Sequence, residues 1–432
     1  MKVLAINLSL IISLSNLLQI ESLSHAGSEC GAQLVESIPI GLTYNSTIIS
    51  KPTFDGLIGL VSSANSSIEI ASLYWTLQGS DVMPHPDNSS LEGTKLLNAL
   101  IDSSKSRSVK IRIAVNEGNL SDNSTDLALL KGLAQIREVN FNRLLGAGVL
   151  HTKFFIIDNK HLYIGSANMD WRSLTQVKEL GIVLNDCQTL ANDLSKIFEV
   201  YWYLGVENST IPKQWPQELA TDFNATNPLS ISMNQTDYSV YLSSSPKPFC
   251  PFGRTNDIDA ILSIIENADK FIDIAVMDYF PIFLYQKNTH FWPLIDNALK
   301  SAVIDRKVSV RLLASHWNHT RESMPIFLHS LAAFNDKKLF GATIEVKLFV
   351  VPAFTPFQAS IPFARVNHNK YMVTDKTAYI GTSNWSADYF VNTGGVGFAI
   401  TSKNNTSAEH NLRDDLQSIF QRDWDSSYAK YI

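Results

Sequence analysis

"HTKFFIIDNKHLYIGSANMDW", residues 151–171, and "HNKYMVTDKTAYIGTSNW", residues 368–385, are one pattern written twice. Each copy begins His-x-Lys, reaches an Asp after four more residues, crosses an apolar stretch and ends in a Gly-x-x-Asn turn. The first copy supplies His151, Lys153, Asp158 and Gly165-Ser166-Ala167-Asn168. The second supplies His368, Lys370, Asp375 and Gly381-Thr382-Ser383-Asn384. On an extended segment, residues i and i+2 project to the same side. His151 therefore projects with Lys153, and His368 with Lys370. Seven positions separate each Asp from its His, so Asp158 and Asp375 face away and are expected to support neighbouring loops. Glycine in the turn lets the backbone and the Asn side chain approach a ligand closely.

The repetition extends outward from these motifs. "SSIEIASLYWTL" (66–77) answers to "ADKFIDIAVMDYF" (268–280), and "VKIRIAVNEG" (109–118) to "VSVRLLASHW" (308–317). "ELGIVL" (179–184) answers to "GVGFAI" (395–400), and "LSKIFEVYW" (194–202) to "LQSIFQRDW" (416–424). Short β-branched strands alternate with helical stretches such as 93–106 and 291–306, which predicts an α/β fold with helices covering sheets. An Asn-, Pro- and Ser-rich seam around 205–250 divides the halves, with a strand at 238–244 inside it. Domains are expected at 27–230 and 231–432, related by a pseudo-two-fold with a cleft between them.

The chain has 432 residues, a net charge of −6 and a pI of about 5.9. An acidic chain is a poor constitutive binder of duplex nucleic acid at neutral pH, although the sign reverses below the pI. Lys2 precedes an apolar stretch to Ile20, and Ser24-His25-Ala26 offers a cleavage site, so residues 1–26 read as a signal peptide. An uncleaved membrane anchor is the alternative. Past Ala26 lie twelve Asn-x-Ser/Thr acceptors, at Asn45, Asn65, Asn88, Asn119, Asn123, Asn208, Asn224, Asn234, Asn318, Asn384, Asn404 and Asn405. Together they indicate a glycosylated lumenal or secreted protein. The three cysteines, Cys30, Cys187 and Cys250, favour one disulfide and one spare thiol in an oxidising compartment, and they do not form a zinc motif.

Two His, two Lys and two Asn suit a phosphodiester. Ammonium and amide groups donate to the non-bridging oxygens as charge builds on them. One imidazole attacks phosphorus and the other protonates the leaving oxygen, then activates water. This chemistry calls for no cofactor and no metal. Glu179 lies 28 residues after His151 on the next strand, while the matching position in the second half is Gly395. A carboxylate there is expected to accept the Nδ1–H of His151, making His151 the nucleophile and His368 the general acid.

These motifs resemble those of the phospholipase D superfamily, and in particular its family members three and four. The resemblance rests on "LVESIPIGL" (34–42), "IASLYWTL" (70–77), residues 151–181, "FWPLIDNAL" (291–299), residues 364–390 and "IFQRDWDSSY" (419–428). It covers nearly all of the chain from about residue 30. It implies a pair of α/β/α sandwich domains with mixed sheets, an active site at their interface, homodimers and an endolysosomal lumen. It implies acid 5′-to-3′ exonuclease activity on single-stranded DNA and RNA, with a phospholipase D-type lipid phosphodiesterase or transphosphatidylase as the alternative. His151, Lys153, Asn168, His368, Lys370 and Asn384 carry the family's site pattern. Those relatives have more cysteines, including one near the C-terminus that is missing here. That leaves Cys250 unpaired and Cys30 with Cys187 as the expected bridge.

Asn384 belongs both to the second motif and to a glycosylation sequon. Its counterpart Asn168 lies in "SANMD", which is no sequon, yet holds the same place in the turn. The shared residue answers to the site, so Asn384 is expected to carry no glycan.

Overall fold

The structure is a computed structural model that describes residues 30–120, 124–286, 288–403 and 411–432. The leader and the sequons at Asn123, Asn404 and Asn405 lie outside these residues. Two mixed sheets carry the fold. The first contains β1 (Gly31–Ser37), β2 (Lys51–Pro52), β3 (Ser67–Ser72), β4 (Lys110–Asn116), β5 (Ala134–Val139), β6 (Phe154–Ile157), β7 (His161–Gly165) and β8 (Glu179–Asn185), in the order β2-β1-β8-β7-β6-β3-β4-β5. The second opens inside the seam with β9 (Leu229–Met233) and β10 (Thr236–Ser245). It continues with β11 (Thr255–Asn256), β12 (Phe271–Val276), β13 (Ser309–Ser315), β14 (Ile344–Phe349), β15 (Lys370–Thr374), β16 (Thr377–Gly381), β17 (Gly395–Ser402) and β18 (Ala429–Tyr431). Its order is β9-β10-β17-β16-β15-β12-β13-β14-β18, with β11 beside β10. The paired stretches seen in the sequence occupy matching places. β3 runs parallel to β4 and antiparallel to β6, as β12 does with β13 and β15.

Alternation sorts the apolar residues between the two faces of each sheet. Phe154 and Ile156 of β6 face inward, while Phe155 and Ile157 face outward. The outer faces are covered by α1 (Thr53–Ser63), α2 (Leu91–Lys105) and α3 (Thr125–Leu130) on the first sheet. On the second sheet the cover is α5 (Asp257–Asn267), α6 (Leu294–Ile304) and α7 (Met324–Ala332). Between the sheets lie α4 (Gln188–Leu204) and α8 (Leu412–Asp425). Helix α4 buries Leu190, Leu194, Ile197, Phe198 and Tyr201. Helix α8 buries Leu412, Leu416, Ile419 and Phe420. Both stripes have the i, i+4, i+7, i+8 spacing of an amphipathic helix. The two α/β/α sandwiches therefore share one continuous inner core.

Charges inside this seam are paired. Lys178 is fully buried and its Nζ lies 2.6 Å from Glu36 and 2.9 Å from Asp423. Arg422 bridges the same two carboxylates. Arg254 grips Asp193 through Nη1 at 2.6 Å and Nη2 at 2.8 Å. Cys30 and Cys187 form a disulfide that ties the start of β1 to the residue before α4. Cys250 is a free, half-buried thiol, and burial pushes it up to about 11. Among the described residues no helix is long and apolar enough to cross a membrane.

Candidate active site

Each motif enters its sheet just after crossing to the other half. The backbone N–H of His151 donates to Gly394 O at 2.9 Å, and that of His368 to Lys178 O at 2.8 Å. The bridges Leu150 with Gly394 and Lys178 with Asn367 are related by the pseudo-two-fold. Both imidazoles are thereby held at the seam, with ring centroids 6.5 Å apart. They share one cleft of about 330 Å³ with Asn168, Asn384, Glu179, Asp278 and Tyr389.

The crossing corrects one expectation. Glu179 does not reach His151. Its carboxylate accepts from Nδ1 of His368, at 2.8 Å to Oε2 and 3.0 Å to Oε1. Because His368 is bonded to the residue before Glu179, the carboxylate belongs to the opposite half's imidazole. His151 instead donates Nδ1–H to the carbonyl oxygen of Thr382 at 2.9 Å. A side chain at Gly395, the position equivalent to Glu179, would run into Ser383, 2.2 Å from where a Cβ would stand. A carbonyl and a carboxylate only accept, so both rings carry a proton on Nδ1 and present Nε2 to the cleft. Glu179 is fully buried rather than a surface charge, and it also accepts from Ser173 Oγ at 2.9 Å.

The electrostatics of the two rings diverge. His151 is held well below the ordinary range, first by burial and then by Lys153 and Lys370. Burial also lowers His368, but Glu179 opposes it. Burial outweighs Glu179 and Asp278 at Lys370, which falls to about 7, and Lys153 is held well below its ordinary range by burial and by Lys370. Each ammonium donates to its own motif's His carbonyl. A bound phosphodiester would add a negative charge beside both lysines.

Both turn asparagines are buried, Asn384 with 3% of its surface exposed. Its Nδ2 donates to Asp278 at 3.2 Å and Tyr389 Oη at 3.1 Å, which leaves no room for a glycan. Asn168 donates to Tyr74 Oη at 3.4 Å. In each amide Oδ1 is buried without a hydrogen-bond partner. Turning the amide about its terminal torsion would place N–H groups there. Asp158 and Asp375 lie away from the cleft. Asp158 accepts the backbone N–H groups of Asn65, Ser66 and Ser67, each at 2.8 Å, and Asp375 those of Asp269 and Lys270 at 3.0 Å. Among the described residues no group of three His, Cys, Asp or Glu could hold a metal ion.

Residues 46–353 match the family described as "PLD3/4, PLD-like domain". The chain belongs to that family, within the phospholipase D superfamily. It is 47% identical over 404 residues to the 5′-3′ exonuclease PLD3 of Xenopus tropicalis, covering 93% of this chain and 81% of that one. Identity to the human protein of the same description is 48% over 402 residues, covering 93% and 80%. The 5′-3′ exonuclease PLD4 of Mus musculus is 42% identical over 406 residues, covering 93% and 80%. Among solved structures, a phosphatidylserine synthase from Haemophilus influenzae Rd KW20 has the same fold. Its TM-score is 0.56 at 12% identity, covering 88% of this chain and 85% of that one.

The sequence did not single out several residues that line this family member's cleft. Asp278 occupies the place of Tyr74, since the pairings Trp75 with Met169 and Tyr279 with Trp385 align the halves. Burial pushes Asp278 up to about 6, against the pull of Lys370 and Arg321. Asp170 pairs with Arg172, whose Nε lies 2.9 Å from Oδ2, and accepts from Tyr74 Oη. Trp317 and Phe363 form part of the rim. The one available signal was position: Tyr74, Asp278 and Trp317 each follow a strand that ends at the seam.

Proposed function

We propose that the chain is a metal-independent 5′-to-3′ exonuclease of single-stranded DNA or RNA, acting through a phosphohistidine on His368. The observation that carries the assignment is the Glu179–His368 pair opposite a His151 whose Nδ1 meets a carbonyl and which has two lysines, and no carboxylate, acting on its charge. An imidazole that attacks phosphorus becomes cationic, and a carboxylate behind it stabilises that charge. A general acid must give up its proton, and nearby lysines favour the loss.

His368 Nε2 attacks the phosphorus, and the bond from phosphorus to the 5′-oxygen of the following nucleotide breaks. His151 Nε2–H protonates that oxygen, so the shortened strand leaves with a 5′-hydroxyl. Neutral His151 then takes a proton from water. The water oxygen bonds to phosphorus and the His368–phosphorus bond breaks, releasing a nucleoside 3′-phosphate. Lys153, Lys370 and the turn amides hold the non-bridging oxygens. The negative charge of the bound phosphodiester offsets the lysines and lets His151 carry its proton at the start.

The relatives' description as 5′-3′ exonucleases supports this polarity. The disulfide and the exposure of Asn45, Asn65, Asn88, Asn208 and Asn318 support a lumenal or secreted setting. The lipid alternative would need an apolar membrane-facing mouth, yet no residue of the apolar stretch "LFVVPAFTPF" (348–357) lines the cleft. A 5′-hydroxyl oligonucleotide labelled at either end, incubated at pH about 5 with EDTA, tests the proposal. Stepwise shortening from the 5′ end with nucleoside 3′-phosphates is expected. Internal cutting, loss from the 3′ end first, or an intact strand alongside release of choline from phosphatidylcholine would contradict it.

A further inference from the structure

Three aromatic rings stand together at the rim of the cleft. The His319 ring stacks on Phe363 with centroids 4.6 Å apart and planes 19° apart. Trp317 meets His319 edge-on at 4.7 Å. Trp317 and Phe363 both line the cleft that holds the two catalytic imidazoles. The backbone N–H of Trp317 donates to Thr320 Oγ1 at 2.8 Å, which fixes the loop.

Phe363 is held out on purpose. Its φ is 53°, in the left-handed region that a phenylalanine rarely adopts. Its neighbours Ile361 and Ala364 are buried against Trp171 of the first half, yet Phe363 itself is 61% exposed. The backbone N–H of Arg365 donates to Gln176 O across the seam at 3.2 Å. Strain and anchoring are thus spent on presenting one aromatic face to solvent beside the site. At the same cleft Arg321 lies over the ring of the lining residue Tyr285 at 5.3 Å and acts on Asp278, which brings a cation to its edge.

We propose that Trp317, His319 and Phe363 form a nucleobase platform, stacking a base of the single strand next to the scissile phosphate. The occupant follows from the surroundings. The platform is continuous with a phosphodiester site, opens on a cleft with a cation at its edge and offers a flat π-face, which every nucleobase can match whatever its sequence. An acyl chain would gain from apolar bulk but would not need a stacked face. The inference rests on the nuclease reading above and would make these residues specificity determinants for polynucleotides.

The test compares an ordinary 5′-hydroxyl oligonucleotide with one whose two 5′-terminal residues are abasic, using wild type, Phe363→Ala, Phe363→Leu and Phe363→Tyr. Wild type is expected to show KM about 10-fold lower on the ordinary strand, from base stacking on an aromatic side chain. Phe363→Ala and Phe363→Leu should lose that preference with kcat within about two-fold, while Phe363→Tyr keeps it. All four should process the abasic strand alike, which also reports that each variant is folded. Retention of the preference in Phe363→Ala, or in Phe363→Leu, would overturn the platform while leaving the nuclease reading intact. If wild type cleaves neither strand, the nuclease reading itself fails.

Discussion

Glu179 and Gly395 hold equivalent places in the two halves, and their difference sets the chemistry of the whole cleft. Glu179→Gln keeps the shape but removes the charge behind His368. A kcat loss of about 10²- to 10⁴-fold is expected in single-turnover assays with folded protein. A loss below about three-fold would show that the pair does not drive the reaction. Two other residues set the pH response. Lys370, at about 7, gains its charge as pH falls, and Asp278, at about 6, loses its negative charge. Both changes make the phosphate site more positive towards acid. KM for an oligonucleotide is therefore expected to rise between pH 5 and pH 8, and Asp278→Asn to flatten the step near pH 6. KM measured across that range in both proteins checks this. Spacing alone marked His151, Lys153, His368, Lys370 and the Asn pair. It misassigned the partner of Glu179, because the two atoms that meet are 189 positions apart and lie in different halves.

The strands and helices could be read from apolar periodicity and duplication, since each depends on neighbours within a few positions. The motif aspartates were legible at this scale too. Their facing away from His follows from alternation, and the structure places them in the turns just after β6 and β15, where they accept from the backbone that leads into β3 and β12. Asp158 collects backbone donors that hold it at about 2, far below an ordinary carboxylate. Asp158→Ala removes an acceptor shared by three backbone N–H groups at a largely solvated turn. It is expected to cost about 1–2 kcal/mol in urea unfolding, with kcat of the folded fraction unchanged. A stable variant with lost activity would instead assign Asp158 to the chemistry.

Across the molecule, the two halves behave as one body because their inner helices share a core and their buried charges interlock. That union could not be read from the sequence, where each half suggests its own complete sandwich. The stripes of α4 and α8 show only that each helix has a buried face, and not that they meet the same layer. Burial pushes Glu36 up, yet Lys178 and Arg422 together hold it below its usual range. Removing one member strands the other charges in the core. Lys178→Met is expected to destabilise the protein by about 3–5 kcal/mol in denaturant unfolding, an effect of the order seen when one partner of a buried pair is lost. A change under about 1 kcal/mol would mean that water or a rearranged partner compensates.

The nucleophile is the point on which the mechanism turns, and it can be seen directly. His151→Ala removes the acid of the first step and the base that completes each turnover. With a substrate whose 5′-oxygen is replaced by a better leaving group, His368 should still be able to attack, and the adduct should persist. Peptide mapping of the quenched variant by mass spectrometry is expected to find the nucleoside 3′-phosphoryl group on the peptide bearing His368, and none in His368→Ala. An adduct on His151 in His368→Ala, with none on His368 in His151→Ala, would contradict the account and restore the opposite order of attack.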